Sequence, residues 1–234
     1  LCRKVGLRSC KELREAKKFD WCNEGLTATD LTLLGTLGSV LPALENLYLF
    51  ESSGAAGPEG LQRLAEGLGA GALPAVTFLQ IGGMHVGDAG ASALATALGQ
   101  GALPRLEGLE LVVAAIGDAA LVALAPALRR RPALEELHLN NNPIADEGIA
   151  ALVAPAPAGA PPPPTGVLTK LKTLGLSRTQ VTDAGCATLA AALDSGALPA
   201  LEDLDLSGIP ASAAAVDAVF EALARSRVAA SSSV

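Results

Sequence analysis

The sequence predicts an α/β solenoid of about seven repeats, with a curved parallel sheet on its concave side and helices on its convex side. Three observations predict it. First, the apolar triplet Leu44–Leu47–Leu49 returns at Val76–Leu79–Ile81, Leu106–Leu109–Leu111, Leu134–Leu137–Leu139, Leu171–Leu174–Leu176 and Leu201–Leu204–Leu206, with starts 32, 30, 28, 37 and 30 residues apart. Second, segments of helical period follow the triplets: "VGDAGASALATAL", "IGDAALVALAPAL", "IADEGIAALV" and "VTDAGCATLAAAL". Third, Gly and Pro punctuate the junctions at similar offsets. One strand and one helix per unit cannot bury their own apolar faces, so stacked copies must share a core.

The elements follow in chain order. Residues 1–18 lie outside the repeat and hold seven Lys and Arg against Glu12 and Glu15. Within them "LRSCKELREAKK" offers Ser9 as an N-cap with Glu12 three residues on, the spacing of a capping box. This segment reads as a basic helical cap over the open end of the solenoid, and alternatively as a basic arm for an acidic partner or membrane surface. Residues 19–227 form the solenoid. Its first, degraded copy is "FDWCNEGLTATDLTLLGTL", where Phe19 and Trp21 stand in leucine positions and Leu26, Leu31 and Leu34 follow in step.

In each triplet the last two apolar residues alternate along a short strand, and the first turns inward from the approach to it. Ala91, Leu94, Ala95 and Leu98 show the spacing of a helix face. Asp88, Asp118, Asp146 and Asp183 stand at helix starts, where a carboxylate accepts the unpaired N–H groups of the first turn. Gly99, Gly101 and Gly196 sit near helix ends, where a left-handed residue is favoured. Pro42, Pro74, Pro104, Pro132 and Pro199 stop the helix and set up an extended segment. The 37-residue spacing is accounted for by "APAPAGAPPPPTG" at 154–166, a Pro-rich loop insertion and a candidate ligand for proline-reading domains. Residues 228–234 read as a disordered tail.

These triplets and helical segments resemble the leucine-rich repeat family, specifically its ribonuclease inhibitor-like class, over roughly residues 16–227. The resemblance includes Ran GTPase-activating proteins, which makes regulation of a small GTPase one alternative; a ligand-sensing fragment of a larger immune-type receptor is another. The family usually places Asn or Cys three residues after the last leucine. Here Glu24, Ser52, Met84, Ala114, Asn142, Thr179 and Ile209 occupy that position, and only Asn142 fits well.

Composition narrows the function. A net charge of −7 disfavours nucleic acid as a partner. Cys2, Cys10, Cys22 and Cys186 make no disulfide framework in a chain of this length, which predicts a reduced intracellular, cytoplasmic setting. No run of about 18 apolar residues exists, so no membrane span is expected. The chain begins at Leu1 rather than Met, which leaves room for an upstream targeting segment. No catalytic constellation, metal set or cofactor loop is found. His138 has carboxylates nearby but no third ligand. Arg129–Arg131 is a candidate anion site, or complements the negative end of its own helix.

Function then falls to the open strand face, where side chains before, between and after the buried leucines form three columns. The "before" column is Lys18, Asn46, Phe78, Gly108, Glu136, Thr173 and Asp203. The "between" column is Asp20, Tyr48, Gln80, Glu110, His138, Gly175 and Asp205. The "after" column begins Cys22, Phe50, Gly82, Val112 and Asn140. Tyr48, Phe50 and Phe78 are expected to form an outward apolar patch that gains nothing from the core. With Gln80, Glu110, Val112, Glu136, His138 and Asn140 they make up the expected partner-binding surface of a protein-interaction or scaffold subunit, with no cofactor.

Overall fold

The computed structural model describes residues 9–52, 56–154 and 168–231. Seven strands, β1 (Lys18–Asp20), β2 (Asn46–Phe50), β3 (Phe78–Gly82), β4 (Gly108–Val112), β5 (Glu136–His138), β6 (Thr173–Gly175) and β7 (Asp203–Asp205), pair in parallel and in chain order. Between them run the helices α2 (Ala28–Leu37), α3 (Gly57–Gly67), α4 (Gly87–Gly99), α5 (Asp118–Leu128), α6 (Asp146–Val153) and α7 (Asp183–Asp194), with α1 (Cys10–Glu15) before β1 and α8 (Ala213–Ser231) after β7. The repeat is therefore an α/β solenoid unit, stacked seven times.

Register follows the leucine pattern. Phe19, Leu47, Leu79, Leu109, Leu137, Leu174 and Leu204 face one another from strand to strand. All seven are buried, as are the helix residues packed beneath them, such as Leu94, Leu121 and Leu189. Phe19 and Trp21, with ring centroids 5.8 Å apart, fill the first layer in place of leucines. The α2–α3 contact is tight because Gly35 meets Gly67: a Cβ on Gly67 would stand 2.8 Å from the Gly35 backbone.

The turns after the strands are satisfied by more than one device. Asn142 accepts from the N–H groups of Ala114 and Ile116 of the preceding repeat and donates to the carbonyls of Leu111, Leu139 and Asn140. The same position holds buried Met84 and Ala114 elsewhere, while the Thr179 hydroxyl donates to Leu176 O at 2.7 Å. Near the start, buried Glu51 accepts from Leu26 N–H at 2.9 Å, reaching back one repeat as Asn142 does.

The aspartates at the helix starts differ from expectation in an instructive way. Each caps the helix of the next repeat rather than its own. Asp88 accepts from Gly117 N–H at 2.6 Å, and Asp118 from Ala145 and Gly148 at 2.7 and 3.0 Å. Asp146 accepts from the amide and hydroxyl of Thr182, and Asp183 from those of Ser212. Room is needed for this reach. A Cβ on Gly148 would stand 2.6 Å from the Asp118 carboxylate, and one on Gly185 2.3 Å from that of Asp146. The arginines behave in the same cross-repeat manner. Arg129 donates to Ala151 O on α6, and Arg131 to the Leu98 carbonyl in the last turn of α4 and to those of Ala102 and Leu103 just after it, so they complete neighbouring helix ends rather than their own or an anion.

Further details correct the sequence reading. Gly101 and Gly196 take positive φ, at 98° and 76°, but Gly99 is simply the last residue of α4. Leu73 and Leu103, each before a proline, sit at φ 51° and 48° rather than extended; burial of their side chains and N–H bonds to Gly38 O and Ala72 O hold them there. Finally, α8 runs to Ser231, so residues 228–231 are helix and not tail. At the other end α1 is shorter than expected. It begins under Ser9, whose hydroxyl accepts from Glu12 N–H, and buries Leu13 in the shared core. It stops before Lys17, whose carbonyl already accepts from Glu45 and Asn46. The Pro-rich insertion lies almost wholly outside the described residues, as do Arg3, Lys4 and Arg8.

Candidate partner-binding site on the open strand face

Pairing in register brings the expected columns together as written. Asp20, Tyr48, Gln80, Glu110, His138, Gly175 and Asp205 line up across the sheet, and so do Lys18, Asn46, Phe78, Gly108, Glu136, Thr173 and Asp203. Their side chains project from the side opposite the helices because strand residues alternate between faces.

The aromatic end is more structured than expected. Tyr48 and Phe78 touch with centroids 5.5 Å apart, and the Lys18 ammonium lies 4.6 Å from the Tyr48 centroid. That ammonium also pairs with Asp20 at 3.0 Å. Hydrogen bonds from Cys22 and Lys18 hold the Asp20 carboxyl below its ordinary value. Phe78 lies against Gly108, where a Cβ would stand 2.5 Å from the ring, and Phe50 lies against Gly82 and Gly83. All three aromatic residues are half-buried outside the core: Phe50 and Phe78 rest on glycines of the next repeat, and Tyr48 packs on Phe78. The sequence signal for this packing is the registry of Gly82 with Phe50 and of Gly108 with Phe78.

Further along, Gln80 donates to Glu110 at 2.5 Å, and His138 stands 4.0 Å from Glu136. Asn140 accepts from Ser177 N–H at 2.9 Å, which ties that side chain to the next repeat. Val112 follows Gly82 in register and is half-buried. Burial raises the Asp205 carboxyl, but hydrogen bonds from Ser207 and Ser177 and the charge of His138 outweigh it and keep the group below its ordinary value. Among the described residues, no three His, Cys, Asp or Glu side chains converge as a metal set would require.

At the lower rim of this face, a pocket of about 220 Å³ is lined by Phe78, Gly108, Glu107, Glu135 and Glu136 with Asn46 and Thr77. Glu135 pairs with Lys172 at 2.7 Å. A larger hollow of about 450 Å³ lies on the helix side between α2 and α3, where Arg63 and Glu59 pair with each other at 2.6 Å.

The repeat geometry accords with a comparison against protein families, in which residues 132–153 and 167–190 match the leucine-rich repeat model. The match covers two of the repeats, and the stacked strand–helix units give the whole chain the fold of a leucine-rich repeat solenoid. No curated protein sequence matches it. Among solved structures, the fold is similar to that of a chain in the yeast Rad7 and Elc1 complex, at 18% identity, covering 79% of this chain and 43% of that one, with a TM-score of 0.50. Similar too are leiomodin-1 actin-binding site 2 (17% identity, 86% of this chain and 90% of that one, TM-score 0.49) and the Caenorhabditis elegans tropomodulin C-terminal domain (13%, 86% and 93%, TM-score 0.47). At such identities the likeness concerns the fold alone. Among the described residues, no helix is long and apolar enough to cross a membrane.

Proposed function

We propose that this leucine-rich repeat chain is a non-catalytic protein-interaction module or scaffold subunit that binds a protein partner through its open strand face. One observation carries the reading: Tyr48, Phe50 and Phe78, three of the chain's six Phe, Tyr and Trp residues, sit half-exposed on the side of the sheet away from the core. Such side chains dominate interface energetics because they offer large rigid area at small entropic cost. The helix in every described repeat after β1 supports assignment to the ribonuclease inhibitor-like class. The acidic character of the face favours protein over nucleic acid. Cys22 and Cys186 are free thiols, which accords with a reducing, cytoplasmic setting.

The test is affinity capture with wild-type protein and with the Tyr48→Ala/Phe50→Ala double variant, alongside thermal melts. A partner recovered by the wild type is expected to be lost by the variant, while the melting temperature falls only slightly because both residues are half-buried. Equal recovery by both proteins would remove the aromatic face from the functional surface.

A further inference from the structure

The strand face is unevenly charged. Its outward side chains on β1–β7 carry the carboxylates of Asp20, Glu110, Glu136, Asp203 and Asp205 against the single ammonium of Lys18. Lys18 and Asp20 pair with each other, so the excess negative charge lies on β4, β5 and β7, beside the aromatic end. The rim below tells the same story. Backbone bonds run from Glu45 to Lys17, Thr77 to Glu45, Glu107 to Thr77, Glu135 to Glu107 and Lys172 to Glu135, so these residues form a ladder from repeat to repeat. Two rungs carry ion pairs, Lys17–Glu45 at 2.9 Å and Lys172–Glu135 at 2.7 Å. Glu107, between them, has no lysine or arginine ion pair among the described residues, and Glu136 stands 4.0 Å from His138 and feels the charge of Lys172, whose direct partner is Glu135. These two carboxylates open onto the pocket whose apolar wall is Phe78. Gly108 keeps that pocket vacant, since any side chain there would collide with the ring.

We propose that the segment seated on this face is basic, and that one of its lysine or arginine side chains enters the pocket beside Phe78 with its cationic head between Glu107 and Glu136. The methylene stem of such a side chain packs on the Phe78 ring while the head stays wet, the way long cationic side chains divide between apolar and aqueous surroundings. Neighbouring strands stand ~4.8 Å apart, so further cations on the same segment reach Glu110 and then Asp203 or Asp205 across the sheet. Lys18 over Tyr48 is an internal example of a cation seated on this aromatic cluster. The proposal rests on the strand-face reading above and names the chemistry of its partner.

The probe is a peptide with a constant apolar anchor and a variable charge: acetyl-Phe-Gly-Arg-Gly-Arg-amide, its citrulline analogue and its Glu analogue, each titrated into ¹⁵N-labelled full chain. The arginine peptide is expected to give saturable shifts at the amides of Phe78, Glu107, Gly108, Glu135 and Glu136. Its affinity should fall about tenfold in Glu107→Gln/Glu136→Gln, since two partly exposed ion pairs contribute of that order. The Glu and citrulline peptides should not saturate. Both substituted residues are exposed, and an unchanged melting temperature checks that the variant is folded. The proposal is overturned if the arginine peptide fails to saturate at these amides, if the Gln variant binds it equally, or if citrulline binds as well as arginine. Any of these results alongside partner capture that still depends on Tyr48 and Phe50 would discard the cationic side chain and leave the strand-face reading standing.

Discussion

Leu137 lies near the centre of the leucine spine, between Leu109 and Leu174, with no exposed surface. Truncating it leaves a cavity that neighbouring repeats on both sides hold open. Leu137→Ala is expected to cost about 2–5 kcal/mol, read from denaturant unfolding; an unchanged midpoint would contradict the register. Val113 tests the opposite sign. It occupies the left-handed turn position after β4 at φ 54°, where other repeats place Asn23, Gly83, Asn141, Arg178 and Gly208. A β-branched residue is strained there and, at 48% exposure, Val113 recovers little from burial. Val113→Gly is therefore expected to raise stability by about 1 kcal/mol; a loss of stability would show that the exposed valine packs more than its surface suggests.

At the level of elements, the aspartate ladder links each helix from α5 to α8 to the one before it. Burial pushes the Asp146 carboxyl up, but the Thr182 hydroxyl, the Thr182 amide and the Gly185 amide outweigh this and hold it below its ordinary value. The unfolded chain therefore takes up a proton at higher pH than the folded one. Asp146 contributes stability that is present above the ordinary carboxylate range and is lost as pH falls through the lowered folded value. Asp146→Asn removes that dependence. Thermal melts between neutral pH and about pH 3, below the ordinary Asp value, are expected to show a shallower acid decline for the variant than for wild type. Parallel declines would mean that other carboxylates govern the acid limb. The Asp positions were legible in the sequence, but their partners were not, because the spacing of a single repeat cannot show that a side chain reaches across to the next one.

At the level of the whole molecule, an open stack must cover its ends. We propose that the basic N-terminal segment covers the first layer, a reading supported by Leu13 of α1 joining the core beside Phe19 and Trp21. Deleting residues 1–16 is expected to lower the melting temperature and promote aggregation, since a terminal repeat needs a polar outer face. A truncated chain that stays monomeric with the same melting curve would make the segment an arm alone. At the far end α8, with 19 residues, is longer than any other helix among the described residues. The expected tail was misread there because Ala- and Ser-rich sequence supports either helix or disorder, and the helix that packs on α7 continues through it.

By itself the sequence determined the repeat count, the α/β alternation, the strand register and the membership of the two surface columns that pair along the whole sheet. Those properties depend on periodicity, and period-two and helical patterns report directly which residues share a face. What only the tertiary structure decided concerns contacts between repeats. Asp118 caps α6, Arg131 closes the end of α4, Glu51 takes over a turn that lacks Asn, and Phe78 rests on Gly108 to shape a pocket lined by Glu107 and Glu136. Each joins residues roughly one repeat apart, a distance along the chain at which local pattern carries no information and the stacking of one copy on the next alone sets who meets whom.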